Sequence, residues 1–201
     1  MQKYDVIIIG GGVSGLSCAI TLGSSEPKIK ELSEKKILVL DAGMSHLKKA
    51  QLYNVPGIDA GTKGFELLES LAKQALSYQN ISMQTKTVSS IKGTKGNFTV
   101  TTTDEETLNA EILVFANGMQ TIEIEGLGAS VLPHIRAPRP GMVMIENTNG
   151  MIDEGKYVTG CAAGASSMFA TASGYGVQTA TDIVSAWMGK YTVIHDVLKK
   201  D

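Results

Sequence analysis

Cysteine and arginine are scarce in this 201-residue chain, and neither sign of charge is in large excess. Two cysteines, Cys18 and Cys161, are too few for a disulfide framework and point to a reducing compartment. Neither they nor the isolated His46, His134 and His195 form a cluster with metal-ligand spacing, so no metal is expected. A net charge of −2 lacks the basic footprint that nucleic acid or an anionic membrane surface requires. No apolar run approaches the roughly 18 residues of a membrane helix. Met1-Gln2-Lys3 leads straight into a strand pattern, and Asp5 interrupts any signal-peptide core; a cytoplasmic location is the expectation. There is no internal repeat and no low-complexity stretch. The apolar content of 43% is ordinary and supports the core of a single domain spanning residues 1–201.

What is present is concentrated at the start. Val6-Ile7-Ile8-Ile9 is β-branched throughout, as suits a strand buried on both faces of a parallel sheet. Gly10, Gly12 and Gly15 follow as G-x-G-x-x-G and open a helix over about 13–23, with Val13, Leu16, Ala19 and Ile20 inward. The first glycine permits the tight turn, the second admits a pyrophosphate close to the backbone, and the third lets helix lie on strand. The free N–H groups of the helix N-terminus favour phosphate. A dinucleotide site is the reading. A second strand, Lys36–Leu40, ends in Asp41, where this fold places an acid for the adenosine ribose hydroxyls. Asp41 stands 26 residues beyond Gly15 instead of the usual roughly 20. The polar stretch Ser24–Lys36, with Pro27, accounts for the excess as a surface loop.

Residues 42–63 read as a long irregular connection. Phe65–Leu76 is amphipathic, with Phe65, Leu68, Leu71, Ala72, Ala75 and Leu76 inward. Three β-rich runs, 84–91, 97–103 and 107–115, are punctuated by Gly93, Gly96 and Asp104-Glu105 and predict an antiparallel meander. Residues 119–141 hold three of the five prolines and both arginines, Arg136 and Arg139, and read as an extended, exposed connection. Short strands are expected at 142–146 and 156–160 around a turn at 147–150. A small-residue helix should run over 167–188, with Gly174 and Gly176 marking close backbone packing, and a polar tail over 191–201.

Several separated stretches then resemble one family, the thioredoxin-reductase-like FAD-dependent pyridine-nucleotide-disulfide oxidoreductases. Gly10–Gly15 with Asp41 resembles the adenosine-binding half. Asn54-Val55-Pro56-Gly57 resembles N-x-P-G near the flavin. Ala116-Asn117-Gly118 resembles A-T-G, Val143–Cys161 resembles the run into A-x-G-D, and Thr171–Gly176 resembles T-A-x-G-x-G. The resemblance implies an α/β, Rossmann-like FAD-binding fold: a central parallel sheet, helices, and an antiparallel meander in a three-layer β/β/α arrangement. It implies FAD contacts from Gly10, Gly12, Val13, Ser14, Gly15, Asp41, Ala42, Asn54, Val88, Ala116, Asn117, Gly118, Gly160, Cys161, Ser167, Met168 and Phe169.

Three departures shape the functional expectation. The family's NADPH-binding domain is replaced by the short stretch 119–141, a linker where that domain would be inserted. The redox-active Cys-x-x-Cys is missing, so this is not a true thioredoxin reductase. Cys161 stands in place of an Asp; its sharp reading is a reactive thiol, its plain reading a small space-filler, and the plain one is preferred. The expectation is a flavoprotein oxidoreductase reduced by a separate small-molecule or protein donor, or directly by its substrate, with no catalytic residue assigned. The side exposed by the missing domain favours a homodimer. His134 with Arg136 and Arg139 suggests recognition of a substrate or donor protein. Two other classes compete: a plain NAD(P)-binding Rossmann module, and a non-enzymatic flavin-binding sensor. A short-chain dehydrogenase is excluded, since no tyrosine has a lysine four residues on.

Overall fold

The computed structural model describes residues 3–25 and 28–195. Pro27 and the part of the polar tail beyond residue 195 lie outside the described residues. Strand β1 (Lys3–Ile9) sits at the centre of the sheet, paired in parallel with β2 (Ile37–Leu40) on one side and β8 (Thr107–Phe115) on the other. Outside β2 runs β5 (Ile81–Gln84), and outside β8 runs β12 (Lys156–Val158), both parallel, with β11 (Met151–Asp153) antiparallel at the edge. Alternate residues of β1 feed two cores, because successive side chains of a strand point to opposite faces. Val6 and Ile8 pack with Leu16, Leu22, Ile183 and Val184 under the helices, while Ile7 and Ile9 pack with Phe98, Val100 and Leu108 under the meander. That two-sided burial is why the run is apolar without alternation.

Helices α1 (Val13–Ser25), α2 (Gly64–Leu76) and α3 (Phe169–Met188) cover one face of the sheet. The meander β6 (Val88–Thr94), β7 (Asn97–Thr102) and β8 covers the other. Strand β8 belongs to both layers: Thr107–Ala110 pair antiparallel with β7, and Leu113–Phe115 pair parallel with β12. The result is the expected three-layer β/β/α form of an α/β fold.

Several boundaries differ from expectation. The β-rich run at 84–91 is two strands in different layers, β5 and then β6; no glycine or proline separates them, so the pattern alone hides the change of layer. In α2, Phe65 and Leu76 are exposed at 42% and 52%, because Leu68 and Ala75 take the buried stripe. Residues 42–63 carry a one-turn helix (His46–Lys49) and a small ladder of β3 (Gln51–Leu52) with β4 (Thr62–Lys63). The strand at 143–145, β10, does not pair with β12; it pairs with β9 (Val131–Pro133). Residues 119–127 are not an exposed connection: Met119, Ile122 and Leu127 are buried, and Glu125 exchanges backbone hydrogen bonds with Ser89 and Ile91. No described helix is long and apolar enough to cross a membrane.

Candidate functional site

The parallel strands end together, and a groove of about 710 Å³ opens beside their carboxyl ends, the usual ligand position in an open α/β sheet. Its first wall is the glycine turn. Gly10 has φ 118°, and a Cβ there would lie 2.4 Å from the Ala116 carbonyl oxygen; Gly10 N–H donates to Leu40 O at 2.8 Å. Three strand ends thus meet with no room for a side chain. At Gly15 a Cβ would stand 1.9 Å from Gly10 O, so this glycine packs helix on turn and does not line the groove. Gly12 is the open one: its nearest neighbour would be Ser45 Oγ at 3.6 Å, and Gly12, Val13 and Ser14 all face the groove.

Asp41 is fastened to this turn. Its Oδ1 accepts from the backbone N–H of Gly11 at 3.2 Å and of Gly43 at 3.1 Å. Oδ2 has no hydrogen-bond partner among the described residues. A Cβ on Gly11 would come within 2.7 Å of Asp41 Cγ, so the unspecified "x" between the first two glycines has no room for a side chain while Asp41 holds this position. Reading the motif for its named glycines misses this; the signal is the third consecutive glycine. Ala42 lies beside Asp41, exposed in the groove.

The second wall is the start of α3. Ser167, Met168, Phe169 and Ala172 line it. Met168 is the N-cap, extended at φ −112° and ψ 140°, and supplies no side-chain cap; the first-turn N–H groups are therefore open to a ligand. Cys161 lines the groove from the one-turn helix Gly160–Ala163. Burial pushes its thiol above the ordinary cysteine range, outweighing hydrogen bonds to Ser167 and backbone that pull it down. That argues against the reactive-thiolate reading, since the nucleophile is the thiolate. Gly160 does not line the groove: with φ 62° and Ser14 Oγ 2.4 Å from where its Cβ would be, it seats this wall against the first one.

Ala116, Asn117, Gly118 and Val88 also line the groove. Asn117 Oδ1 is buried and has no hydrogen-bond partner among the described residues, which is costly unless a ligand supplies a donor. Across the mouth His46 and Gln120 hydrogen-bond to each other. Neither was foreseen, because an isolated histidine in a loop carries no pattern. Lys86 also lines the groove, held by Asp104 and Glu106, which raise its pKa against a small desolvation. Asn54 departs from expectation: it is exposed in the connection between β3 and β4 and is absent from the groove. Among the described residues no group of three or more His, Cys, Asp or Glu could hold a metal.

Known proteins share this fold. The fold matches a thioredoxin reductase from Gloeobacter violaceus with a TM-score of 0.75 at 14% identity, over 99% of this chain and 100% of that one. It also matches an oxidoreductase from Agrobacterium tumefaciens with a TM-score of 0.74 at 16% identity, over 94% and 100%. At such identities these likenesses concern the fold. In sequence, ferredoxin–NADP reductase 1 of Bacillus cereus is 31% identical over 132 residues, which are 62% of this chain and 37% of that protein. The chain thus spans little more than a third of that relative. Residues 4–137 match the pyridine nucleotide-disulphide oxidoreductase family. On these grounds the chain belongs to the pyridine nucleotide-disulphide oxidoreductase family, a family of FAD-dependent oxidoreductases.

Proposed function

We propose that the groove holds one FAD and that the chain works as a flavin oxidoreductase whose electrons come from a separate donor or directly from its substrate. In this reading 119–141 is the short bridge where the family's NADPH-binding domain would otherwise be inserted. One observation carries the reading: the glycine turn and the N-terminus of α3 line a single groove. A plain NAD(P) module would need only the first of these. Three features suit the cofactor. Gly12 leaves space where a Cβ would intrude on a pyrophosphate. Asp41 offers a free carboxylate oxygen to ribose hydroxyls while its other oxygen is anchored. Asn117 Oδ1 waits buried for a donor.

The residues then have distinct tasks. The N-terminal N–H groups of α1, with its dipole, hold the phosphate charge. Those of the first turn of α3, beginning at Phe169, would hold negative charge at the pyrimidine edge of the ring. Cys161 fills space in the wall. Bound FAD would supply the redox chemistry itself, which the protein orients and tunes.

The visible spectrum of the purified protein tests this. Bound flavin, or uptake of added FAD, is expected; a colourless protein that takes up none rejects the reading. Anaerobic reduction by dithionite but not by NADH or NADPH supports a separate donor, whereas rapid reduction by a nicotinamide removes that part. Asp41→Ala should weaken FAD binding by about 10- to 100-fold, the loss of charge-assisted hydrogen bonds worth roughly 1.5–3 kcal/mol.

A further inference from the structure

Neither arginine of the chain is used by the groove, yet both lie in one small region. Strands β9 and β10 form an antiparallel arm, Val143 against Pro133 and Ile145 against Val131. The connecting tip is held down by its own side chains. His134 is buried, donates from Nε2 to the Cys161 carbonyl at 3.0 Å, and accepts at Nδ1 from the Arg136 N–H at 3.0 Å. Arg136 Nη1 donates to the Gly164 carbonyl at 2.7 Å. Gly164 has no side chain there, and the Met144 thioether and Ile135 Cδ1 would lie 3.1 and 3.6 Å from a Cβ at that position. The arm is therefore packed on the back of the 160–164 turn, whose Cys161 forms part of the groove wall.

Its outer side carries both arginines of the chain, each exposed. From Gly126 to Ile145 the sequence contains no acidic residue, so no carboxylate of the arm itself neutralises them. Neither Arg136 nor Arg139 pairs with a carboxylate among the described residues. Ile135 is 69% exposed, with Val131 and Leu132 exposed beside it. Pro133, Pro138 and Pro140 stiffen the tip, so little chain entropy remains to be lost on contact. Arginine around exposed apolar side chains on a rigid frame is the composition of a protein contact, not of a solvated loop.

We propose that the tip of the β9–β10 arm, centred on Ile135, Arg136 and Arg139, is a docking surface for an acidic electron-carrier protein. This rests on the reading of the groove as an FAD site fed from outside, and it supplies the place where the donor sits. Carboxylates on the carrier meet the two guanidinium groups, an apolar centre covers Ile135, and the contact is separated from the groove only by the 160–164 turn. Such encounters are small, weak and steered by charge.

The test titrates an oxidised, acidic ferredoxin, as probe, onto the FAD-loaded full chain at low ionic strength. Saturable binding that weakens as salt is raised is expected. Arg139→Glu, which touches nothing in the groove, should weaken it about tenfold or more, chiefly through slower association, and Ile135→Asp should weaken it about tenfold. Lys73→Glu on α2, the same charge change elsewhere, should stay within about twofold, as an electrostatic effect local to the tip requires. No binding by the unaltered chain overturns the proposal, as does equal weakening by Lys73→Glu, or a dimer seen in sedimentation that Arg139→Glu dissolves while carrier binding is unchanged. FAD uptake is read separately from absorbance: no uptake sinks the flavin reading, whereas normal uptake with carrier binding indifferent to Arg139 sinks the docking surface alone.

Discussion

Helices α1 and α3 lie side by side and begin on the same groove, yet they begin in opposite ways. α1 starts in a turn where backbone presses on backbone: Gly10 against Ala116, Gly15 against Gly10, Gly11 against Asp41. α3 starts at Met168, with extended backbone and no side-chain cap, after a turn that holds Cys161. The first beginning excludes side chains, and so it prescribes its residues. The second uses only its open N–H groups and tolerates many residues around them, which is how Cys161 can stand in the place of a family Asp without dismantling the wall. Between the helices the contact is as tight as in the glycine turn: Ser17 Oγ and Ser173 Oγ are 2.9 Å apart, and a Cβ at Gly176 would stand 2.2 Å from Ser14 O and 3.0 Å from Cys18 N.

The largest effect should come from breaking that contact. Gly176→Ala places a methyl group against the backbone of α1, which can yield only by moving the helix. The cost of such overpacking is about 1–3 kcal/mol and sometimes more, and against rigid backbone its upper part exceeds the roughly 1 kcal/mol that alanine returns in helix propensity. Urea denaturation should show net destabilisation, and FAD affinity should fall with it because Ser14 and α1 would be displaced from the groove. A neutral Gly176→Ala would mean that the two helices are not locked and that the contrast between their beginnings has no structural cost behind it.

How far the sequence foretold these two walls follows from the same contrast. β1, the glycine turn, α1 and Asp41 were legible because each is a local consequence of neighbouring residues: an apolar run, three spaced glycines, an acid at a strand end. The meander and α3 were legible from period-2 runs and small-residue composition. Asn54 stands exposed and outside the groove lining, because a resemblance places a motif but not the conformation of the loop that carries it. The burial of Met119, Ile122 and Leu127, the pairing of β9 with β10 and the His46–Gln120 bond all depend on chain segments far apart in sequence, and no local pattern announces them. Gly176 and Gly174 show the limit at single-residue scale. Both sit in the same motif, and only the coordinates separate the one that touches α1 from the one that does not.

A smaller effect sharpens the view of the helix contact as dry and closed. Cys18, on the α1 side that Gly176 meets, is fully buried, and desolvation alone raises its thiol pKa far above the ordinary 9.0. In the unfolded chain the same thiol ionises near its ordinary value. Between those two values the unfolded state releases a proton that the folded state keeps, so this contribution to stability is intact below about pH 9 and declines as pH rises further. The slope is about 1.4 kcal/mol per pH unit for one group. Denaturation midpoints at pH 8, 9 and 10 should show this decline, and Cys18→Ala should remove that share of it. An unchanged slope in the variant would mean that water reaches the thiol and the contact is open.

The smallest effect reverses the sign of the largest, two residues away. Gly174 is exposed on α3, and a Cβ there would meet nothing within 4 Å. The sequence pattern groups it with Gly176, but it has no packing reason to lack a side chain and no positive φ. Gly174→Ala should therefore stabilise the chain by roughly 0.5–1 kcal/mol, by lowering the entropy of the unfolded state and raising helix propensity. FAD affinity should remain unchanged. Opposite signs for Gly174→Ala and Gly176→Ala in one denaturation series would show that α3 is constrained along one face only. If Gly174→Ala also destabilised, that exposed face of α3 would have to be covered by something, and a second copy of the chain would be the first occupant to look for by sedimentation.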